Sequence, residues 1–217
     1  MLRNGKRLSC QKDVLSSLPD YVIDDILVCL PLQDAVKTSI LSSKWRYKWC
    51  RIPQLILDRT FWGTTRPNIP LASKFTNIMY HLLAFHAGPI SKFVLSSYFG
   101  DCPEIDKLIY FLSRSGVQNL FLIFDRCGPY KLPSSIFACL KLRWLCLQNC
   151  FIKVVPPAFK RFDSLTRLLL QNIRTSSKIL ESLISKCPLL QHLVLYQNWY
   201  TDAIEINAPM LRTFNFV

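Results

Sequence analysis

Residues 165–170 read Leu-Thr-Arg-Leu-Leu-Leu, which fits the pattern LxxLxL. Its fourth and sixth positions, Leu168 and Leu170, lie on the same side of an extended chain. The pattern recurs at Val117–Leu122, Leu142–Leu147, Leu190–Leu195 and Leu211–Phe216, the last copy having phenylalanine in its final two leucine positions. The fourth positions, residues 120, 145, 168, 193 and 214, are 25, 23, 25 and 21 residues apart. An apolar strand motif at this period predicts stacked repeats with one strand each.

Helical segments separate the strand motifs. Apolar residues at helical spacing occur in Phe75–Phe85, Ile105–Leu112 and Ile179–Ile184, and earlier strands are predicted at Leu55–Leu57 and Phe93–Leu95. A strand and a helical segment every 20 to 29 residues or so is typical of leucine-rich repeats, which form a curved solenoid with the strands on its concave side. Cys150 and Asn198 occupy the Asn/Cys position of that repeat, and Ile173 does not.

The segment before the repeats is predicted to be helical. Residues 1–12 are polar and basic, as expected of a tail, and residues 13–53 are predicted to form a small all-α module. Such a module buries little surface, so it needs a partner or an attached domain to be stable. The three predicted helices are Tyr21–Cys29 capped by Asp20, Gln33–Ile40, and one capped by Ser42 or Ser43 that carries Trp45 and Trp49 on one side.

The sequence therefore predicts an α/β chain, with a small all-α three-helix module followed by a curved α/β solenoid at residues 54–217. Of its 217 residues, 50% are hydrophobic and 19% charged, which disfavours wholesale disorder. The net charge of +13 is spread along the chain, which favours acidic partners over a localised nucleic-acid site.

Cysteine usage indicates a reducing compartment. The nine cysteines are odd in number and form no CxxC pair. The N-terminus lacks the apolar stretch of a secretory signal, and no run of residues is apolar enough to span a bilayer. We expect reduced thiols and a location in the cytosol or nucleus.

The segment from Asp13 to Trp49 carries a specific series of motifs. It contains L-P-D from Leu18, I-L-x-x-L-P from Ile26, A-V-x-T-S-x-L-S-x-K-W-R from Ala35 and a final Trp49. This series resembles an F-box, and the chain as a whole is similar to plant F-box/leucine-rich-repeat proteins and their FBD-type relatives.

The resemblance implies a docking function for this module. In that family the F-box binds a Skp-type linker, which joins it to cullin and RING subunits. The alternative is that Ile23, Leu27 and Trp45 only pack against each other and the first repeat. The docking residues implied by the resemblance are Leu18, Pro19, Ile23, Ile26, Leu27, Leu30, Pro31, Val36, Leu41, Ser42, Trp45 and Trp49.

The repeat region departs from the family pattern at its end. The sequence stops at Val217, directly after a repeat strand, and the C-terminal FBD module of many relatives does not follow. A repeat stack without a polar cap exposes its core edge. We expect either a truncated form or a segment that covers this edge.

The predicted concave face is the candidate target-binding surface. When the leucines of each strand point inward, the alternate residues point to the concave side. Trp144, Arg167 and Tyr196 are residue types enriched in interfaces, and we expect them to form one column. The alternative is an ordinary solvated sheet, or one covered by a C-terminal segment. The predicted target-binding residues are Phe121, Trp144, Gln148, Arg167, Gln171, His192 and Tyr196.

Other kinds of site are disfavoured. Lys44–Arg51 combines four cations with three aromatic residues, as a single-strand nucleic-acid site would, but its tryptophans match F-box positions. Cys146, Cys150 and His192 lack the spacing of a metal site, and no catalytic or phosphate-binding motif occurs. We therefore expect no cofactor, no metal and no catalytic residue.

The resemblance, together with the lack of a catalytic motif, implies a non-catalytic substrate adaptor of an SCF-type cullin-RING ubiquitin ligase. Its partners would be the Skp-type linker, through it the cullin and RING subunits, and a target protein, with no membrane partner. The rival reading is a scaffolding protein that binds the linker and recruits no target. Nucleic-acid binding through the basic surface is a third and weaker hypothesis.

Overall fold

A computed structural model of the chain describes residues 14–63, 71–97, 102–125, 128–197 and 203–216. The polypeptide divides into two compact units, Met1–Trp49 and Cys50–Val217. The predicted domain limits, 1–12, 13–53 and 54–217, remain predictions. Among the described helices, none has the length and apolar character needed to cross a membrane.

The first unit is helical. Its described α-helices are α1 (Val14–Ser17), α2 (Asp20–Cys29) and α3 (Leu32–Lys37), and a 3-10 turn at Thr38–Ile40 extends α3. Pro31 precedes α3, where proline is favoured because its missing N–H would have no helical partner. Ile23 and Leu27, one helical turn apart, are the buried residues of α2.

Two local predictions for this unit are wrong. Pro19, not Asp20, precedes α2 as its cap residue, and its carbonyl accepts the amides of Val22 and Ile23 at 3.1 and 3.2 Å. The predicted third α-helix is absent from the described residues, because 43–47 form turns and a 3-10 helix follows at Lys48–Arg51.

Residues 43–47, which we call the turn segment, are held by side-chain hydrogen bonds instead of forming a helix. The Trp45 indole Nε1 donates to the Leu15 carbonyl at 3.1 Å, and the Lys44 ammonium donates to the Leu18 carbonyl. The Ser42 hydroxyl is buried and, among the described residues, has no hydrogen-bond partner, so it caps nothing. The serines and the i, i+4 tryptophans therefore do not specify a helix here.

The second unit is built on a parallel sheet of seven strands in the order β1-β2-β3-β5-β7-β8-β9. The strands are β1 (Gln54–Leu57), β2 (Lys92–Ser97), β3 (Asn119–Phe124), β5 (Trp144–Gln148), β7 (Arg167–Gln171), β8 (His192–Tyr196) and β9 (Thr213–Phe216). Two short strands, β4 (Tyr130–Lys131) and β6 (Cys150–Phe151), pair beside it. Sequential parallel strands confirm the predicted α/β repeat fold.

Main-chain hydrogen bonds fix the start of every strand of the large sheet after β1. The carbonyl of Gln118, just before β3, accepts the amides of Arg143 and Trp144 at 2.7 and 3.1 Å. The Arg143 carbonyl in turn accepts the amides of Thr166 and Arg167 at 2.9 and 3.0 Å. The carbonyls of residues 53, 91, 166 and 191 each accept two amides in the same way. Each of these strands therefore begins in register with the one before it.

Helices cover one side of the sheet with apolar side chains. They are α4 (Arg59–Gly63), α5 (Leu71–Phe85), α6 (Pro103–Ser115) and α7 (Ser177–Ser185), with a 3-10 helix at Ser134–Ala138. The leucine positions of the central strands, such as Leu145 and Leu168, are almost fully buried. In β9 the same positions hold Phe214 and Phe216, which are 44% and 62% exposed.

An aromatic cluster fills two adjacent repeats, between β3 and β5 and between β5 and β7, that have no α-helix among their described residues. The rings of Phe137 and Phe159 lie 5.1 Å apart, and those of Phe159 and Phe162 lie 4.7 Å apart. All three side chains are buried. Large rings thus supply here the apolar volume that helices supply elsewhere in the unit.

A left-handed residue follows three successive strands. Asn149, Asn172 and Gln197 have φ values of 55°, 48° and 50°. The Asn172 Nδ2 donates to the Asn149 Oδ1 at 3.1 Å, which links two of these turns. Asparagine tolerates this conformation better than most side chains do.

The residue after each left-handed asparagine is buried. Cys150 and Ile173 are both fully buried, and the Arg174 amide donates to the Cys150 carbonyl. Ile173 therefore occupies the same buried position as Cys150, although isoleucine does not match the Asn/Cys pattern of the repeat. Asn198, predicted for the same position, lies outside the described residues.

Candidate interaction surfaces

The predicted docking residues of the helical unit divide by exposure. Ile23, Leu27 and Trp45 are at most 2% exposed, so their side chains belong to the interior. Their part in docking, and the alternative that they only pack against each other and the first repeat, both remain predictions. Leu18, Ile26, Leu30, Ser42 and Trp49 are partly exposed, and Pro19, Pro31, Val36 and Leu41 are exposed.

An exposed apolar strip begins in the last turn of α3 and continues through the 3-10 turn after it. Val36 is 39% exposed, Ile40 87% and Leu41 46%. Ile40, the most exposed of the three, is not among the docking residues that the resemblance implies. The signal was present, since a six-residue α-helix continued by a 3-10 turn is too short to bury both its faces. We call Val36, Ile40 and Leu41 the apolar strip.

Ion pairs fix the start of α2 to the turn segment. The Asp20 carboxylate lies 2.8 Å from the Lys48 ammonium and 3.6 Å from the Lys44 ammonium. The hydrogen bond from Lys48 is the main reason that the pKa of Asp20 is below its usual value. Asp20 thus contributes to the geometry of the module as a partner of two lysines.

The other side of the sheet carries three rows of side chains, one residue from each strand. We call it the open face. Its first row runs Gln54, Lys92, Asn119, Trp144, Arg167, His192 and Thr213. The middle row is apolar over six strands, Ile56, Val94, Phe121, Cys146, Leu169 and Val194, and ends at Asn215. The third row contains Ser96, Ile123, Gln148, Gln171 and Tyr196.

The predicted column of Trp144, Arg167 and Tyr196 is wrong in one member. Trp144 pairs with Arg167, and Arg167 with His192, whereas Tyr196 pairs with Gln171 in the third row. Tyr196 ends its strand and the other two residues begin theirs, so they lie at opposite edges of the open face. All seven predicted target-binding residues lie on this face, and their role in binding remains a prediction.

Two aromatic rings and two cations form a cluster in the first and middle rows. The Phe121 and Trp144 rings meet edge to face with centroids 4.8 Å apart. The Arg167 guanidinium carbon lies 5.1 Å from the Trp144 ring centre, and the Lys92 ammonium lies 5.9 Å from the Phe121 ring centre. Both distances are within the range of cation–π attraction. We call these four residues the aromatic-cation cluster.

The described thiols of the second unit are buried rather than reactive. Burial raises the pKa of Cys139 and of Cys187 to about 12, and that of Cys146 to about 11. A thiol attacks as its thiolate, so such groups are poor nucleophiles near neutral pH. Among the described residues, no three His, Cys, Asp or Glu side chains are placed to share a metal ion.

The basic aromatic segment 44–51 does not present its first tryptophan to a ligand. Trp45 is 2% exposed and its indole N–H is bonded to Leu15. A buried ring cannot stack on a base, so Trp45 gives no support to the hypothesis that this segment binds nucleic acid.

Comparison with known proteins assigns the two regions separately. The F-box domain model matches residues 15–57. The model described as the LRR repeats of the FBD-associated F-box protein At5g56370 matches residues 105–217, a little more than half of the chain.

Whole-chain relatives combine the same two regions. The chain is 39% identical over 203 residues to the F-box/FBD/LRR-repeat protein At1g13570 of Arabidopsis thaliana, covering 92% of this chain and 47% of that protein. It is 30% identical over 217 residues to the F-box/LRR-repeat protein At4g14103 of the same plant, covering 96% and 56%. It is 31% identical over 210 residues to that plant's F-box/LRR-repeat protein 13, covering 91% and 44%. The chain thus spans about half the length of the curated relatives it matches.

The helical module, the register of the parallel repeats and these matches lead to one conclusion. The chain belongs to the plant F-box/leucine-rich-repeat family.

Proposed function

We propose that this chain is the substrate-recognition subunit of an SCF-type cullin-RING ubiquitin ligase. Its F-box would bind a Skp-type linker, and through it cullin and RING subunits, while its repeats would hold a target protein. The observation that carries the proposal is an F-box whose apolar strip, Val36, Ile40 and Leu41, is exposed. Exposed apolar patches on small modules mark protein interfaces.

The chain would contribute proximity and no chemistry of its own. Binding linker and target at once raises the effective concentration of the target near the transferring subunits. Ubiquitin transfer would then be carried out by those subunits. The buried thiols of the repeats, whose pKa values are raised, are consistent with a structural role.

We propose a location in the cytosol or nucleus, where thiols stay reduced. All seven described cysteines are free, and six of them are buried. Fractionation of plant cells that express the tagged chain tests this directly. Recovery mainly from secretory compartments would contradict it.

Co-purification with a plant Skp-type linker tests the docking step. A chain carrying both Ile40→Arg and Leu41→Arg should lose linker binding by at least about tenfold, because two cations replace the exposed apolar contact. Val154→Arg is the matched control, since Val154 is 56% exposed and lies in the repeats. Both replaced side chains are at the surface, so the variant should keep its helical content by circular dichroism.

The outcomes separate the hypotheses. Stoichiometric capture of the wild type and of the control, lost in the double variant, supports the adaptor function. Failure of a well-folded wild-type chain to capture the linker contradicts it. If the linker binds and Trp144→Ala leaves ubiquitination of an identified target unchanged, the target is recruited away from the open face. If the linker binds and no target is ubiquitinated, the scaffolding alternative replaces the adaptor function.

A further inference from the structure

We propose that the open face of the sheet binds an extended acidic segment of the target protein, with carboxylates facing Lys92 and Arg167 and apolar side chains lying on the middle row. This inference rests on the proposed adaptor function and specifies the chemistry of its target site.

The charged residues of the open face are all positive. The seven strands of the large sheet contain no aspartate or glutamate, whereas they contain Lys92 and Arg167. Arg143 and Arg212, which directly precede β5 and β9, add further positive charge at the same edge. Among the described residues, none of these four cations forms a salt bridge. A cationic edge without internal counter-ions favours an acidic partner.

The acidic residues that follow the strands are already engaged. The Asp125 carboxylate, after β3, lies 2.7 Å from the Arg59 guanidinium and accepts from the Gln148 amide at 3.2 Å. The Asp58 carboxylate, after β1, accepts the amides of Thr60 and Phe61 at 3.0 and 3.1 Å. These carboxylates lie at the ends of their strands, so they leave the charge at the strand starts uncompensated.

The cations are held in place before any partner arrives. Arg167 lies over the Trp144 ring and Lys92 over the Phe121 ring, and the two rings contact each other. Fixing a long cationic side chain in advance reduces the entropy lost when an anion binds. The aromatic-cation cluster therefore presents two ordered positive charges to the partner.

The middle row sets the second requirement on the partner. Six apolar residues on adjacent strands span about 24 Å, which matches about seven residues of extended chain. Ile56 at one end is 36% exposed, and Asn215 closes the row at the other end. A segment of alternating acidic and apolar residues could satisfy both rows at once.

The same geometry disfavours single-stranded nucleic acid. A base needs an open aromatic face on which to stack. Here the two cations compete for the ring faces, and the rings block each other edge to face. The apolar middle row also offers nothing to a phosphate backbone.

Fluorescence anisotropy with synthetic peptides tests the inference on the full chain. The probes are fluorescein-labelled ten-residue peptides of alternating Glu and Leu, the same peptides with Ser, Lys or phosphoserine in place of Glu, and a ten-nucleotide oligouridine. The acidic peptide should bind more tightly than the Ser and Lys peptides, and Arg167→Glu with Lys92→Glu should weaken it by at least about tenfold. Lys178→Glu, on the exposed surface of α7, makes the same charge change as either substitution alone, but away from the sheet, and should leave binding within about twofold.

Each other outcome overturns the inference. Equal binding of the Ser peptide would show that charge is not recognised. Equal weakening by Lys178→Glu would show that the net charge alone attracts the peptide. Much tighter binding of the phosphoserine peptide would assign the face to phosphate, and oligouridine binding lost in the same variants would assign it to nucleic acid.

Two controls keep the result interpretable. Thermal unfolding of each variant checks the fold, and Arg167→Gln provides a milder change that should weaken the acidic peptide in the same direction. Linker capture is measured on the same preparations. If the linker is captured and the acidic peptide is not preferred, this inference fails while the proposed function stands.

Discussion

The indole N–H of Trp45 donates to the carbonyl of Leu15 at 3.1 Å, across 30 residues of sequence. This bond joins the turn segment to α1, at the beginning of the described chain, and Trp45 itself is buried. The Trp45 side chain therefore connects the two ends of the described helical unit, in which it is the largest buried side chain.

We expect Trp45→Phe to loosen the helical unit, because the hydrogen bond to the Leu15 carbonyl and part of a buried ring are lost together, at a cost of about 1–3 kcal/mol. Hydrogen exchange of the α2 amides should speed up by about 10- to 100-fold if local opening limits exchange. Trp49→Phe is the control, since Trp49 is only half-buried. Equal effects of the two substitutions would contradict a special role for the Trp45 bond.

Replacements at Asn172 should separate backbone strain from side-chain bonding. Asn172→Gly adopts the left-handed conformation without strain but loses the hydrogen bond to Asn149. We therefore expect the free energy of unfolding to fall by about 1 kcal/mol. Asn172→Ala loses the bond and adds strain, so we expect about 2–3 kcal/mol. Urea unfolding measures both, and a larger cost for glycine than for alanine would contradict this explanation.

The last two strands offer a matched pair for testing burial. Leu195 and Phe216 are register partners, yet Leu195 is 1% exposed and Phe216 is 62% exposed. We expect Leu195→Ala to lower the free energy of unfolding by about 2–5 kcal/mol and Phe216→Ala by less than about 1 kcal/mol. Thermal unfolding of the two variants is the measurement, and similar losses would show that Phe216 is covered in solution.

Alkaline pH should destabilise the repeats through their buried thiols. Burial raises the pKa of Cys139 and Cys187 from 9.0 to about 12, so above pH 9 the unfolded state releases protons that the folded state retains. Stability from these thiols is complete below pH 9 and is lost between pH 9 and 12. The urea midpoint should therefore fall across this range, and less steeply in a Cys139→Ala, Cys187→Ala variant. An unchanged slope in that variant would assign the loss to other groups.

The repeat architecture could be predicted because its pattern is periodic. Leu145, Leu168 and Leu193 occupy the same position of LxxLxL, and they are aligned on neighbouring strands. The misplaced Tyr196 could also have been found by counting, since Trp144, Arg167 and His192 share the third position of the pattern and Tyr196 does not. Register follows directly from position in such a repeat.

The errors lie where side chains, not periodicity, decide the backbone. Ser42 and the pair Trp45 and Trp49 satisfy the usual signals of a capped helix, but Trp45 bonds to a main-chain carbonyl far away in sequence. Local signals cannot reveal such a partner. The aromatic-cation cluster was equally hidden, because Lys92 and Phe121 come from different repeats and only the fold brings them together.

The double hydrogen bonds at the strand starts use only main-chain atoms: a carbonyl before one strand and two amides at the start of the next. Such a junction makes no demand on which side chains flank it. A gene segment encoding one whole repeat could therefore be duplicated or deleted during evolution, and the flanking repeats could still join. In this family, the number of repeats and the residues on the open face can diversify independently of the bonds that hold the stack together.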